Sequence, residues 1–139
     1  MTYKIIGKYI RNLSFSIPNT KTFFLLSKDI ANYKINIDIK SNQIKENIIE
    51  VLTSINLTPT KSDFEIINTK IDFATIVELQ NNKLGKNQIE KIVLVKVPSE
   101  IYAELRKIFV NLFENSGFRD IKISEKVDFQ KLYEMKKFQ

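Results

Sequence analysis

Apolar and polar residues alternate along residues 33–40, with Tyr33, Ile35, Ile37 and Ile39 set against Lys34, Asn36, Asp38 and Lys40. Period two places the first set on one face of a strand. The same period runs through residues 3–17, where Tyr3, Ile5, Tyr9, Leu13 and Phe15 hold odd positions. Ile6 and Ile10 interrupt it and predict that the second face is also covered there. Pro18 has no N–H for a ladder and ends that strand. A third strand spans 48–57, with Ile49, Val51, Ile55 and Leu57 on one face. A fourth spans 64–79, with Ile67, Ile71, Phe73, Val77 and Leu79 sharing parity. Thr58-Pro59-Thr60-Lys61-Ser62-Asp63 has turn composition and predicts a hairpin connection between them. Residues 20–32 contain Phe23, Phe24, Leu25 and Leu26, and read either as a short helix turn or as an apolar loop.

The period changes in the last third. Asn81-Asn82-Lys83-Leu84-Gly85 reads as a turn. Residues 87–97 are two-sided: Ile92-Val93-Leu94-Val95 favours extended chain, whereas Asn87-Gln88-Ile89-Glu90 suits a helix turn. Pro98 fits a first helical turn. Ile101, Leu105, Ile108, Phe109, Leu112 and Phe113 then recur at helical spacing through 98–116, and Gly117 is placed as a left-handed stop. A bridge over 118–126 leads to a short helix over 128–137 that Asp128 caps. Strands followed by helices predict an α+β fold: a four-stranded antiparallel sheet, a long helix and a short C-terminal helix. At 139 residues, without repeats or linkers, the chain is one domain over 1–139. Its strands carry more apolar surface than one long helix covers, which predicts an oligomer that buries the remainder.

Composition then removes whole classes of chemistry. The chain has no Cys, no His and no Trp, which leaves out disulfides, thiolate catalysis, Cys-ligated zinc and the usual general base. No stretch approaches the roughly 20 apolar residues of a membrane span, and lysines interrupt the apolar positions of residues 1–8. Neither a signal peptide nor membrane insertion is expected, and the expected location is the cytoplasm. The net charge is +6, carried by 19 Lys and only three Arg (Arg11, Arg106, Arg119). That balance admits a nucleic-acid binder, but the scarcity of Arg, the residue suited to bidentate phosphate and base contacts, argues against one.

Few residues offer a reactive site. Asp63, Glu65, Asp72 and Glu78 are the candidate carboxylates. Asp72 and Glu78 share parity, but six residues along a strand is ~20 Å, too far for paired acid–base work. The three glycines, Gly7, Gly85 and Gly117, make no phosphate loop. Lys131-Leu132-Tyr133-Glu134-Met135-Lys136-Lys137-Phe138 interleaves cations with aromatics, which suits either single-strand stacking or a docked helix with solvated lysines. The expectation is no enzyme, no metal and no cofactor. What remains is apolar area: ten Phe and five Tyr beside many Ile. A surplus exposed in a groove would bind unfolded chain at ~1.5–3 kcal/mol per buried side chain, multiplied by several copies on one oligomer.

Four motifs in sequence order carry a resemblance. These are Asn12-Leu13-Ser14-Phe15-Ser16-Ile17-Pro18-Asn19, Val97-Pro98 with Tyr102 and Arg106, Gly117-Phe118-Arg119-Asp120-Ile121, and Val127-Asp128-Phe129-Gln130-Lys131-Leu132-Tyr133. At this spacing the chain resembles the bacterial protein-export chaperone family SecB over nearly its whole length. The resemblance implies a homotetramer, a dimer of dimers, that holds unfolded preproteins without ATP and passes them to the translocation motor SecA. It places Ile35, Ile37, Ile39 and Tyr102 in the client groove and Val77 and Leu79 at the subunit interface. The resemblance further implies that the helix from Pro98, with Leu105, Phe109 and Leu112, packs dimer against dimer.

Ile76 and Glu78 would meet SecA. The chain departs from the family where Asn12 and Ser16 replace acidic residues of the first strand, which predicts a weak electrostatic match to SecA's basic tail. Two alternatives remain beside the export chaperone: a SecB-like protein dedicated to one client such as an antitoxin, and a basic α+β nucleic-acid-binding domain.

Overall fold

Straight stretches of alternating sequence become two central strands, and everything else is arranged around their apolar side. In the computed structural model, which describes residues 2–80, 83–119 and 121–137 with side chains to Met135, the strands are β1 (Tyr3–Ser16), β2 (Tyr33–Lys45), β3 (Ile48–Pro59) and β4 (Asn68–Leu79). The helices are α1 (Thr20–Lys28), α2 (Lys86–Lys91), α3 (Val97–Asn115) and α4 (Phe129–Lys137), with a π-helical turn, Ile92–Lys96, joining α2 to α3. The sheet is antiparallel in the order β1-β4-β3-β2, so β1 and β2 are its edges.

On β3 and β4 the predicted parity is the observed one. Ile49, Val51, Ile55 and Leu57 are buried beside Ile71, Phe73, Val77 and Leu79 on the helix-facing side. Leu105, Phe109 and Phe113 of α3 and Leu26 of α1 pack onto them. Two edges of the prediction move. β4 begins at Asn68 rather than at Phe64, because Phe64 stacks on Tyr33 with ring centroids 6.2 Å apart instead of pairing. β2 continues past Lys40 to Lys45 and turns into β3 through Glu46 and Asn47.

β1 corrects the period-two reading. Its register against β4 runs Ile5↔Val77 to Gly7↔Ile76 and Ile10↔Phe73 to Asn12↔Asp72, so Ile6 and Arg11 are extra residues. Each bulge reverses parity. Tyr3 and Ile5, then Lys8 and Ile10, then Leu13 and Phe15 face the helices, whereas Tyr9 lies on the outer face opposite Ala74. The breaks in alternation at Ile6 and Ile10 come from bulges at Ile6 and Arg11, not from a covered second face.

Residues 20–32 resolve as α1 and a 3₁₀ turn, Ile30–Asn32. Asn19 starts α1 by accepting the Thr22 N–H at 2.9 Å, and Asp29 starts the turn by accepting the Ala31 N–H at 2.9 Å. The run Ile92-Val93-Leu94-Val95 is helical, not extended. Tertiary burial of Ile92, Val93 and Val97 against Ile49, Val51 and Val77, and of Val95 against Tyr102 and Phe129, overrides β-propensity. Pro98 falls in the first turn of α3, as the sequence predicts, but α3 continues directly from the π turn. Its missing N–H falls where the π turn hands over to α3 within a helical span over 86–115. Gly117 does end α3, at φ 95°, with the Phe118 N–H returning to the Phe113 carbonyl at 3.0 Å. Asp128 caps α4 by accepting the Lys131 N–H at 3.0 Å. Asn81 and Asn82 of the expected turn, Asp120 and Phe138 lie outside the described residues.

Candidate functional site

Edge strand β2 turns its alternating apolar face toward the helices, and among the described residues no strand pairs with its outer edge. Ile37 and Ile39 meet Leu94 of the π turn and Phe129, Leu132 and Tyr133 of α4 around an apolar cleft of about 70 Å³. Leu94 also lines a wider hollow of about 540 Å³ with Ser41, Ile89, Val93, Lys86 and Glu90. Ile37, Ile39 and Ser41 share one face of β2, so the two spaces lie side by side along a groove that Leu94 borders in both.

The groove's floor is fixed by α4. Phe129, Leu132 and Tyr133 fall at i, i+3 and i+4 and thus on one side of the helix. Phe129 is buried with Val95 and Tyr102. Tyr102 lies beneath it, donating its hydroxyl to the Ser124 carbonyl at 2.7 Å while Arg106 Nε donates to the Ile123 carbonyl at 3.0 Å. These two bonds hold the segment that leads into α4. Burial pushes the Tyr102 phenol above its ordinary pKa, and Arg106 opposes the shift.

Of the sequence-assigned groove residues, Ile37 and Ile39 line the cleft, Tyr102 supports it from below, and Ile35 packs instead against the main core. Leu94, Phe129, Leu132 and Tyr133 were not among those candidates. The i, i+3, i+4 spacing of the last three was visible in the sequence, whereas the place of Leu94 depends on the π turn. The residues assigned to oligomer contacts lie elsewhere. Val77, Leu79, Leu105 and Phe109 are buried within the subunit's own core, and Leu112 is half-buried against it. Surface apolar residues concentrate on β1, where Ile6, Tyr9, Ile10 and Leu13 are 41–46% exposed.

The sheet's other face is polar. Ile76, Glu78, Asn12 and Ser16 all lie on it by register. Its buried carboxylates are engaged: Glu50 pairs with Arg11 and accepts the Tyr9 hydroxyl at 2.6 Å, and Asp72 accepts from Ser54 at 2.6 Å with Lys70 at 3.8 Å. Glu78 accepts from Gln80 at 2.9 Å. Among the described residues no group of three or more carboxylates could hold a metal, and no helix is long and apolar enough to cross a membrane.

An α+β subunit whose distinctive surface is an apolar groove at a sheet edge is a binding protein of the chaperone type. The chain belongs to the SecB family: the model described as preprotein translocase subunit SecB matches residues 1–139. It is 37% identical over 134 residues, 96% of each chain, to a Pelagibacter ubique protein carrying the SecB protein-export name. It is 25% identical over 134 residues, 96% of this chain and 81% of the relative, to the protein-export protein SecB of Burkholderia lata. Its fold is similar to a Mycobacterium tuberculosis SecB-like chaperone solved with a ChAD peptide from the HigA1 antitoxin (TM-score 0.65, 10% identity, 91% of this chain and 88% of that one). This is a protein-export chaperone family, and the resemblance read from the four motifs is the family found.

Proposed function

We propose that this chain is an ATP-independent holdase of the cytoplasm, and that unfolded preprotein segments bind in the groove between β2 and α4. The observation that carries this reading is the convergence of Ile37, Ile39, Leu94, Phe129, Leu132 and Tyr133 on one cleft. A single cleft buries one or two client side chains, at ~1.5–3 kcal/mol each, so useful affinity requires several linked copies. Assembly as a tetramer is part of the proposal. The exposed apolar residues of β1 supply a contact, the half-buried Leu112 a second, and Val77, Leu79, Leu105 and Phe109 support both from within. SecA contact through Ile76 and Glu78 is the weakest element, because the carboxylates Glu50 and Asp72 on that face are already paired.

Suppression of aggregation of an unfolded model protein, with and without ATP, tests the reading. Protection that needs no nucleotide and disappears in an Ile37→Glu, Leu132→Glu variant is expected. Protection unchanged in that variant would remove the groove from the proposal. Leu13→Lys should lower the native mass from four subunits, and a wild-type monomer would refute the assembly. Dedication to one client is the second reading, favoured by the fold shared with the antitoxin-peptide chaperone. Protection limited to one neighbouring-gene product would support it.

A further inference from the structure

The helical span of α2, the π turn and α3 does not keep one buried stripe from end to end. On α3 the stripe includes Val97, Pro98, Ile101, Tyr102, Leu105 and Phe109. Position 94 lies four residues before Pro98 and seven before Ile101, so an unbroken α-helix would place it in the middle of that stripe. Positions 92 and 93 would fall off it. The structure has the reverse: Ile92 and Val93 are 2% and 6% exposed, and Leu94 is only half-buried. The π turn makes the difference, because the Val97 N–H reaches back to the Ile92 carbonyl, one residue beyond its α-helical partner. Pro98 accounts for the turn. In an α-helix its ring would collide with the carbonyl four residues back, that of Leu94, and a wider turn relieves the collision. The same widening swings the Leu94 side chain out of the core and into the groove, where it lines both the cleft and the hollow.

We infer that Leu94 is the residue that sorts client side chains by size. The inference rests on the groove being the client site, as proposed above, and adds what each part of it accepts. Leu94 is the wall common to a cleft of about 70 Å³ and a hollow of about 540 Å³. A benzene ring fits a cavity of about 150 Å³. The cleft therefore takes a small aliphatic side chain, and the hollow takes a ring. Ile39 lines the cleft and Ser41 the hollow, one strand repeat of ~6.8 Å apart. An extended client repeats its side chains on one face at the same spacing. The preferred segment thus carries a small aliphatic and an aromatic residue two positions apart. Two aromatics at that spacing fit poorly, because the second ring meets the cleft and has to displace α4.

Fluorescence anisotropy on the full chain, with labelled peptides alike except for a central Val-Ser-Phe, Phe-Ser-Val or Phe-Ser-Phe, reads this directly. The better of the two mixed peptides should bind about tenfold tighter than Phe-Ser-Phe, the worth of one apolar side chain left unburied. Leu94→Ala joins the two spaces and should bring that ratio near one. Leu94→Val shortens the wall by one carbon and should give an intermediate ratio, whereas Leu94→Met, close in volume, should keep it. The ratio is the readout that a merely structural role would not move. Equal affinities in the wild type, or tightest binding of Phe-Ser-Phe, would overturn the sorting while keeping the groove. A wild-type ratio retained in the Ala and Val variants, with all three peptides weakened alike, would overturn it too, by leaving Leu94 a packing role only. Failure of all three peptides to bind the wild type would overturn the groove as client site together with the inference.

Discussion

Phe129 stands edge-on against Tyr102, with ring centroids 6.0 Å apart and planes at 69°. This contact joins the short C-terminal helix to the long helix of the core. It makes the geometry of the groove depend on a helix that has little stability alone.

Phe129→Ala should therefore undock α4 before it unfolds the subunit. Truncating a fully buried Phe costs about 3–5 kcal/mol, more than a nine-residue helix supplies by itself. Hydrogen exchange should show α4 amides losing protection while those of β4 keep theirs. Retained protection in α4 would mean that other contacts hold it.

Arg11→Ala leaves the buried Glu50 carboxylate with Tyr9 as its partner. The urea midpoint should fall, because a buried carboxylate loses its charged partner. Glu50→Gln should cost less, because its amide oxygen still accepts the Tyr9 hydroxyl. The reverse ranking would show that Arg11 acts through the bulge backbone rather than through the carboxylate.

Tyr3 should set part of the alkaline limit. Burial first, and then its 2.8 Å hydrogen bond to Glu100, push its phenol up from 10.0 to about 12. The folded state thus favours the protonated phenol more than the unfolded chain does. The stabilisation is full below pH 10 and declines as pH rises from 10 through 12. Tyr3→Phe should flatten this part of the urea-midpoint curve relative to the wild type. Parallel curves would exclude Tyr3 as the titrating group.

Gly117→Ala should cost about 1–2 kcal/mol, the price of a left-handed backbone for an L-residue. The cause is conformational rather than steric, since an added Cβ would sit 3.6 Å from the Phe23 ring, an ordinary contact. Adding Phe23→Leu should therefore not rescue the melting temperature. Rescue would point to crowding.

The central strands were readable because they are regular and covered on one side only. Ile49, Val51, Ile55 and Leu57 keep strict alternation, and burial of one face obliges it. The ends of β1 and the shared face of Tyr3, Ile5, Leu13 and Phe15 were readable, and the facing of Tyr9 and Ile10 between them was not. Bulges at Ile6 and Arg11 reverse the facing of the residues between them and restore it beyond Arg11, and broken alternation alone does not distinguish a bulge from a covered face. The apolar run at Ile92-Val93-Leu94-Val95 fits either period, and packing against Val51 and Val77 decides it. At the groove, the β2 face was legible as alternation. The apposition of Leu94 and α4 across from it depends on long-range packing that no local pattern encodes.

At about 70 Å³, the cleft between β2 and α4 has room for a few water molecules and not for a phenyl ring. On the client site proposed above, a ring enters this cleft only after α4 moves aside. Opening is then a separate step that precedes capture, and the observed rate should level off at high client concentration, at the speed with which the helix lifts.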